Sequence, residues 1–320
     1  MQKLPENWDA QQKKLQASIL QTNVWADFQD SLGRTIYFGT NENWSWVGFA
    51  RSSKGIRYLF LPYGPTIQSN AKQCLQDILQ TAQSAGFDFV RLEPIGKITA
   101  ADMYSHSAKK IGEVDPEHTQ LIDLTKSIDE LRAEMRSGHR NPINTAQKRE
   151  VRVYSSHDQS ELKDFLRFMA DTATRAGIQN YGDEYYEKLV EHLMPTGFAT
   201  FYVATAENKK ASISIVYDWN GTRSYAWAGN DQVVNRKSQA SVVNVWQMIV
   251  DAKSAGMKTF DLWGVAPEDA PTSHKWAGIS SFKRGFGGKT VTTLGTWDIP
   301  LKKGKYRAYS VYRKLRKMDA

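Results

Sequence analysis

A chain of 320 residues, 41% of them hydrophobic, is long enough for about two domains with a core each. No stretch approaches the eighteen or so apolar residues that a membrane span needs. A single cysteine, Cys74, excludes an internal disulfide, and the six histidines (106, 118, 139, 157, 192 and 274) fall at no metal-ligand spacing.

Net charge is +8, and the last twenty residues carry +7 of it. They hold Lys302, Lys303, Lys305, Arg307, Arg313, Lys314, Arg316 and Lys317 against Asp319 alone. Such a segment reads as a footprint for phosphate on nucleic acid or on a membrane surface. The alternative is a solvated helix that aids solubility. The start, Met1-Gln2-Lys3-Leu4-Pro5-Glu6-Asn7, has no apolar signal core. A cytoplasmic protein is therefore expected, free or at the inner face of the membrane. Cys74 lies on a helical pattern and reads as a packed thiol rather than a nucleophile.

In chain order, a short helix precedes strands expected at 34–39, 44–51 and 55–61. Pro62-Tyr63-Gly64-Pro65 marks a loop. A helix over 69–85 and a strand over 87–92 follow, then a strand over 119–123. Residues 128–149 have helical period, and Asn141-Pro142 predicts a break there. This basic segment, with Arg132, Arg136, Arg140, Lys148 and Arg149, is expected to cross between two domains. The second half predicts a strand over 151–154, a helix over 159–176, a polar aromatic loop at 177–186 and a helix over 184–194. Strands over 200–206, 212–219 and 223–228 form a meander whose second turn is Asn220-Gly221. A helix over 238–255, a strand over 259–262, a Gly/Phe/Lys-rich stretch at 276–288 and a strand over 290–297 complete it. The terminal basic helix is expected to pack near the first domain.

One short unit occurs twice. Ala82-Gln83-Ser84-Ala85-Gly86 runs into Phe87-Asp88-Phe89-Val90-Arg91-Leu92-Glu93. Ala252-Lys253-Ser254-Ala255-Gly256 runs into Met257-Lys258-Thr259-Phe260-Asp261-Leu262-Trp263, 170 positions on and without a gap. In each, a glycine stands where a helix ends in a left-handed cap, and an apolar strand follows. Ser-Ala-Gly before a strand is also a common α-to-β turn, but the aligned apolar positions on both sides favour duplication. A meander, then a helix, then a strand beside a cleft describes the N-acetyltransferase-like (GNAT) fold. That fold usually cradles a coenzyme A pyrophosphate on a glycine-rich helix N-terminus. Arg236-Lys237-Ser238-Gln239-Ala240-Ser241 and Gln68-Ser69-Asn70-Ala71-Lys72 contain no glycine, which speaks against acetyl-CoA as donor. No cofactor and no metal are expected.

Leu262-Trp263-Gly264-Val265 followed by Gly278-Ile279-Ser280-Ser281-Phe282-Lys283-Arg284-Gly285-Phe286-Gly287-Gly288 resembles the FemABX family of peptidoglycan bridge-forming aminoacyltransferases. Trp25-Ala26-Asp27-Phe28-Gln29 with Leu32-Gly33-Arg34, Leu61-Pro62-Tyr63-Gly64-Pro65, Arg91-Leu92-Glu93-Pro94, and the stretch from Arg140 to Val151 extend the resemblance over nearly the whole chain. It implies an α/β (α+β) architecture of tandem GNAT-like domains, mixed sheets flanked by helices. The expected division is 1–145, completed by a helix over 300–320, and 146–299. No heptads suggest a coiled-coil arm, so the compact type is expected.

The resemblance implies transfer of an amino acid from aminoacyl-tRNA to an amine of a peptidoglycan precursor peptide. The acceptor would be a UDP-MurNAc-pentapeptide or lipid II. Other donors and acceptors of this fold remain: acyl-CoA, or a protein N-terminus for an aminoacyl-tRNA–protein transferase. A non-catalytic RNA-binding module built on the basic segment is a further alternative. Lys283 is the expected oxyanion donor, with Phe282 shaping the site of the terminal adenosine. Arg284, Lys302, Lys303 and Arg313 are expected tRNA contacts. Glu93 is expected either to hold the incoming ammonium and help take its proton or to cap a loop. For acceptor binding, the family's basic positions fall here on Asp27 and Tyr181, neither basic. Tyr185 matches a family tyrosine and Trp227 an aromatic position, while Arg34, Arg57 or Arg140 are candidates to replace the missing cations. No Ser/His/Asp or Cys/His set is evident, so no covalent enzyme intermediate is expected. The attacking amine must be neutral, which predicts a rate that rises toward alkaline pH.

Overall fold

The structure, a computed structural model, describes residues 3–176 and 180–318. The expected loop residues 177–179 and Asp319 lie outside the described residues, as do the side chains of Lys314, Arg316 and Lys317. The chain forms two compact units, 1–117 with 292–320, and 118–291.

The first unit opens with α1 (Trp8–Leu15) and α2 (Asn23–Ser31). Then come β1 (Ile36–Thr40), β2 (Trp44–Ser53), β3 (Ile56–Leu61), β4 (Thr66–Ile67), α3 (Ala71–Ser84), β5 (Phe89–Leu92), β6 (Ile95–Gly96), α4 (Ala100–Ser105) and β7 (Lys109–Lys110). The second unit follows: β8 (His118–Asp123), α5 (Ile128–Glu134), α6 (Ser137–Asn144), β9 (Arg152–Ser156), α7 (Glu161–Ala176), α8 (Asp183–Leu193), β10 (Ala199–Ala206), β11 (Lys209–Trp219) and β12 (Thr222–Asn230). It ends with α9 (Gln232–Ser238), α10 (Ala240–Ser254), β13 (Thr259–Gly264), α11 (Ala277–Arg284) and β14 (Lys289–Thr292). The chain returns to the first unit with β15 (Trp297–Pro300) and α12 (Lys303–Met318).

Each unit has one mixed sheet, in the orders β6-β4-β2-β3-β5-β15-β7, with β1 beside β2, and β14-β8-β13-β12-β11-β10-β9. The repeat read from the sequence is the same module in both. A helix packs its apolar stripe on the sheet: Cys74, Leu75, Ile78 and Ala82 of α3, and Val242, Val245, Ile249 and Ala252 of α10. Gly86 and Gly256 stop these helices at φ +74° and +77°, where glycine alone adds no Cβ penalty. The next strand then pairs in parallel with the last meander strand, β5 with β3 and β13 with β12.

The unit boundaries fall at 117/118 and 291/292, not at 145/146 and 299/300. The cause is strand pairing: β8 binds β13 from Thr119↔Gly264 to Asp123↔Thr259, so the second unit begins at His118 and runs to Val291. The segment at 128–149 therefore does not cross between units. Its break also lies earlier than expected. Pro142 sits inside α6, and the helix stops instead at Met135, whose extended backbone (ψ 147°) lets its side chain enter the core. The expected strand over 290–297 is two strands, because the chain leaves the second sheet after Thr292 and joins the first at Trp297.

The C-terminal segment is an integral part of the first unit. Arg91 of β5 meets Asp298 of β15 in a bidentate pair, both bonds 2.8 Å, with both side chains buried. Tyr306 Oη adds a hydrogen bond to Asp298 Oδ2 at 3.1 Å. Tyr306 and Tyr309 cluster with Phe89. Replacing Asp298 with alanine leaves a buried guanidinium unpaired, a loss of about 3–5 kcal/mol. Urea denaturation of Asp298→Ala should show that loss in the midpoint of the first unit's unfolding.

Candidate functional site

β12 and β13 pair at Thr222↔Thr259, Arg223↔Phe260 and Ser224↔Asp261, and no further. Beyond that point β12 bulges between the partners of Ile215 and Val216. β13 bulges against β8 between Asp261 and Gly264. The strands diverge at the C-terminal end of a parallel pair, where α/β sheets generally open a ligand crevice. Trp263 takes a left-handed backbone there (φ +62°). That conformation is costly for a bulky residue, and the Asp261 carboxylate holds it by accepting the Trp263 N–H at 2.7 Å.

Lys283 reaches this opening from the last turn of α11. Its side chain is 6% exposed. Nζ donates to the Gly264 carbonyl at 2.8 Å and lies 6.0 Å from the centre of the Tyr225 ring. Burial disfavours its charge and pulls it down to about 8, against the pull of Asp261, which favours the charge. Asp261 is pushed up to about 6 by burial, offset by the Trp263 N–H and by Lys283. Between those values the site holds one cation and one anion. The ammonium has two further N–H bonds and almost no water to give them to, which suits it to a developing negative charge.

The glycine-rich stretch after Lys283 has a packing explanation. A Cβ on Gly285 would stand 2.2 Å from the His139 ring, so only glycine lets α6 and α11 approach. His139 Nε2 donates to the Phe282 carbonyl at 2.9 Å. Phe282 itself packs on Phe286 and His139, ring centres 5.4 and 5.5 Å apart, at the edge of the core. Arg284 donates to the Ala266 carbonyl at 2.5 Å, and Ser280 Oγ accepts the Ala266 N–H at 2.7 Å. These contacts fix the turn that follows β13.

Three expected acceptor-binding residues come together in the second unit. Tyr181 stacks on Tyr185 with ring centres 4.0 Å apart, and both stand edge-on to Trp227 at 5.8 and 6.2 Å. Trp227 Nε1 donates to Tyr217 Oη at 2.7 Å, and Tyr217 meets Trp263 at 6.3 Å. An aromatic wall thus runs from Tyr181, 47% exposed, to the turn beside Lys283. Asp261, Trp263, Tyr217 and Tyr225 were not singled out from the sequence. A carboxylate between Phe260 and Leu262, inside an otherwise apolar strand, was the available signal.

Other expected site residues have structural duties. Glu93, 3% exposed, is a loop clasp. Its carboxylate accepts the Asp115 N–H (2.9 Å), the Tyr63 N–H (3.2 Å) and the Thr296 hydroxyl (2.7 Å). Burial, with Asp115 beside it, holds it well above the usual carboxylate range. These three contacts, all inside the first unit, fit the capping alternative. Arg140 caps α5, donating through Nη1 to the carbonyls of Met135 (2.8 Å) and Ala133 (3.2 Å). Arg34 bonds the Gln29 side chain. Lys302 is spent on the Gly86 carbonyl and Asp88, at 2.9 and 3.1 Å. Arg313 lies over the Tyr309 ring at 6.0 Å, and Lys303 is exposed at the start of α12.

A coenzyme A pyrophosphate would need free N–H groups where α9 and α10 begin. Asp231 Oδ1 accepts those of Val233 and Val234. Asn235 Oδ1 accepts that of Ser241 and Ser238 Oγ that of Ala240. A carboxylate and two side-chain oxygens occupy the cradle, so these residues do not fit the cofactor. Among the described residues no group of three or more His, Cys, Asp or Glu could hold a metal, and no helix is long and apolar enough to cross a membrane.

Residues 133–277 match the acetyltransferase (GNAT) domain family. A crystal structure of FemX superposes with a TM-score of 0.82 at 15% identity, covering 96% of this chain and 98% of that one. The chain has a FemX-like tandem GNAT fold. The L-PGS structure from Bacillus licheniformis is similar at TM-score 0.62 and 13% identity, covering 94% and 92%. A tandem GNAT protein from the clavulanic acid biosynthesis pathway is similar at 0.55 and 8%, covering 94% and 97%. No curated protein matches the sequence. The family to which the Phe282–Gly288 stretch is similar, and the superposed fold, agree.

A buried ammonium is a stability liability. Keeping Lys283 charged at neutral pH costs on the order of 3 kcal/mol relative to water. Lys283→Met, similar in length and without the charge, should melt at or above the wild-type temperature at pH 7, by calorimetry. Glu93→Ala should do the reverse, losing about 3 kcal/mol as two buried N–H groups and a hydroxyl lose their acceptor.

Proposed function

We propose that the chain is a tRNA-dependent aminoacyltransferase that moves an amino acid to an amine of a peptidoglycan precursor peptide. The observation that carries this reading is the buried Lys283 ammonium at the strand divergence of a FemX-like fold. The acceptor amine attacks the ester carbonyl carbon of the aminoacyl group, and a C–N bond forms. Negative charge builds on the carbonyl oxygen, where the free N–H bonds of Lys283 receive it. The C–O bond to the ribose then breaks, and the proton shed by the amine ends on the departing ribose hydroxyl. Lys283 keeps its own proton throughout. The wall formed by Tyr181, Tyr185 and Trp227 supplies flat, partly polar surface for the acceptor.

An acyl-CoA donor is disfavoured by the occupied N–H groups at α9 and α10. The likeness to L-PGS keeps a lipid acceptor as an arm of the test. Label carried on a pool of charged bacterial tRNAs should pass to a UDP-linked muramyl pentapeptide or to lipid II. It should vanish on ribonuclease treatment and fall about 10²–10³-fold in Lys283→Ala. Label in phosphatidylglycerol instead would replace the peptide amine by a lipid hydroxyl. Label in none of the three would refute the reading.

The pH profile should be bell-shaped. The rate rises as the acceptor amine loses its proton. It falls above about 8, where Lys283 becomes neutral and can no longer serve as a cation. A profile still rising at pH 9.5 with chemistry rate-limiting would exclude a charged Lys283 from the step.

A further inference from the structure

Lys283 is held by more than its own helix. The groups that face it are the Tyr225 ring from β12, the Gly264 carbonyl and Asp261 from β13, and the C-terminal end of α11, where the helix dipole favours a cation. Its neighbour Arg284 points away, to the Ala266 carbonyl. Among the described residues Lys283 has no ion pair within 4.0 Å. Asp261 is the carboxylate whose charge favours the protonated amine, and it does so from beyond 4.0 Å. The same carboxylate fixes the left-handed Trp263 peptide, one residue before the carbonyl that receives Nζ.

We propose that Asp261 is the positioning residue of this site: its negative charge keeps the buried Lys283 amine protonated, and its hydrogen bond holds the turn whose next carbonyl aims Nζ into the opening. This rests on the reading of Lys283 as the oxyanion donor and adds to it the group that sets its charge. Two duties on one side chain can be separated chemically. Asparagine keeps an oxygen for the Trp263 N–H and loses the charge. Glutamate keeps the charge. Alanine loses both.

The test reads Lys283 directly, without turnover. Acetic anhydride labelling of the full-length protein is followed by peptide mass spectrometry from pH 6 to 10, since only the neutral amine reacts. In the wild type, Lys283 should label with a midpoint near 8. In Asp261→Asn the midpoint should move to lower pH, giving several-fold faster labelling at pH 7, while Asp261→Glu should stay near wild type. Exposed lysines of the first unit, such as Lys72, serve as internal controls. In the transfer assay Asp261→Asn should lower kcat with KM little changed and bring the alkaline limb to lower pH. An unmoved midpoint in Asp261→Asn, with a native circular dichroism spectrum, would overturn the proposal. If Asp261→Asn fails to fold, an unmoved midpoint in Asp261→Ser would overturn it equally. Failure of the underlying reading looks different: Lys283→Ala would then transfer normally although the labelling midpoint still moves with Asp261.

Discussion

β12 and β13 stay together for three residue pairs and then part, and the chemistry of the second unit follows from that parting. A parallel pair that continued would bury its edges in backbone hydrogen bonds and leave no room for a side chain. Here the pairing ends at Ser224↔Asp261. The bulge in β12 and the left-handed turn at Trp263 carry the two strands apart. Peptide groups freed at the opening need partners. Asp261 takes the Trp263 N–H and Lys283 takes the Gly264 carbonyl. The ionisable pair is therefore part of the solution to a backbone problem, as well as a pair of reactive groups.

The duplicated module shows what the same construction does when it is closed. In the first unit β3 and β5 pair at four positions, the last being Leu61↔Leu92. The corresponding fourth pair in the second unit, Tyr225 with Leu262, does not form. The position equivalent to Trp263 is Glu93, which follows an unbroken strand and spends its carboxylate on two backbone N–H groups and the Thr296 hydroxyl. One copy keeps its strand end sealed by hydrogen bonds. The other breaks the ladder and places a charge in the gap. The two copies of the module differ here by one lost pair of residues and the side chains that answer it.

The helix–glycine–strand repeat was legible because its signals are local: an apolar stripe of period 3.6, a glycine at the left-handed cap, and an apolar strand. The same holds for the meander and its Asn220-Gly221 turn. The unit boundary was not legible, because β8 belongs to the second sheet through pairing with β13, about 140 residues on, and no local pattern encodes that partner. Lys283 was found through the motif around it, but Asp261 was not. Its charge is visible in the sequence, whereas its relation to Lys283 depends on the divergence of two strands. Arg140 shows the converse. A cation in a basic segment reads as a phosphate ligand, and its duty on the carbonyls that end α5 has no local signal.

A lysine with burial against it and one distant carboxylate in its favour is poised rather than stable. If Asp261 touched it, the pair would neutralise itself and Nζ would lose the N–H bonds it has to offer. If no carboxylate were present, desolvation would drive the proton off within the neutral range and leave an amine with nothing to stabilise an oxyanion. A carboxylate beyond ion-pair distance avoids both. Its charge favours the protonated amine against desolvation and leaves two of the three donor hydrogens unclaimed, the third being on the Gly264 carbonyl. In the proposed reaction, the first strong acceptor to reach them is an oxygen that gains negative charge. Because the ground-state carbonyl is neutral, that interaction grows toward the transition state, which is the condition for a contact to speed the chemical step rather than merely tighten binding.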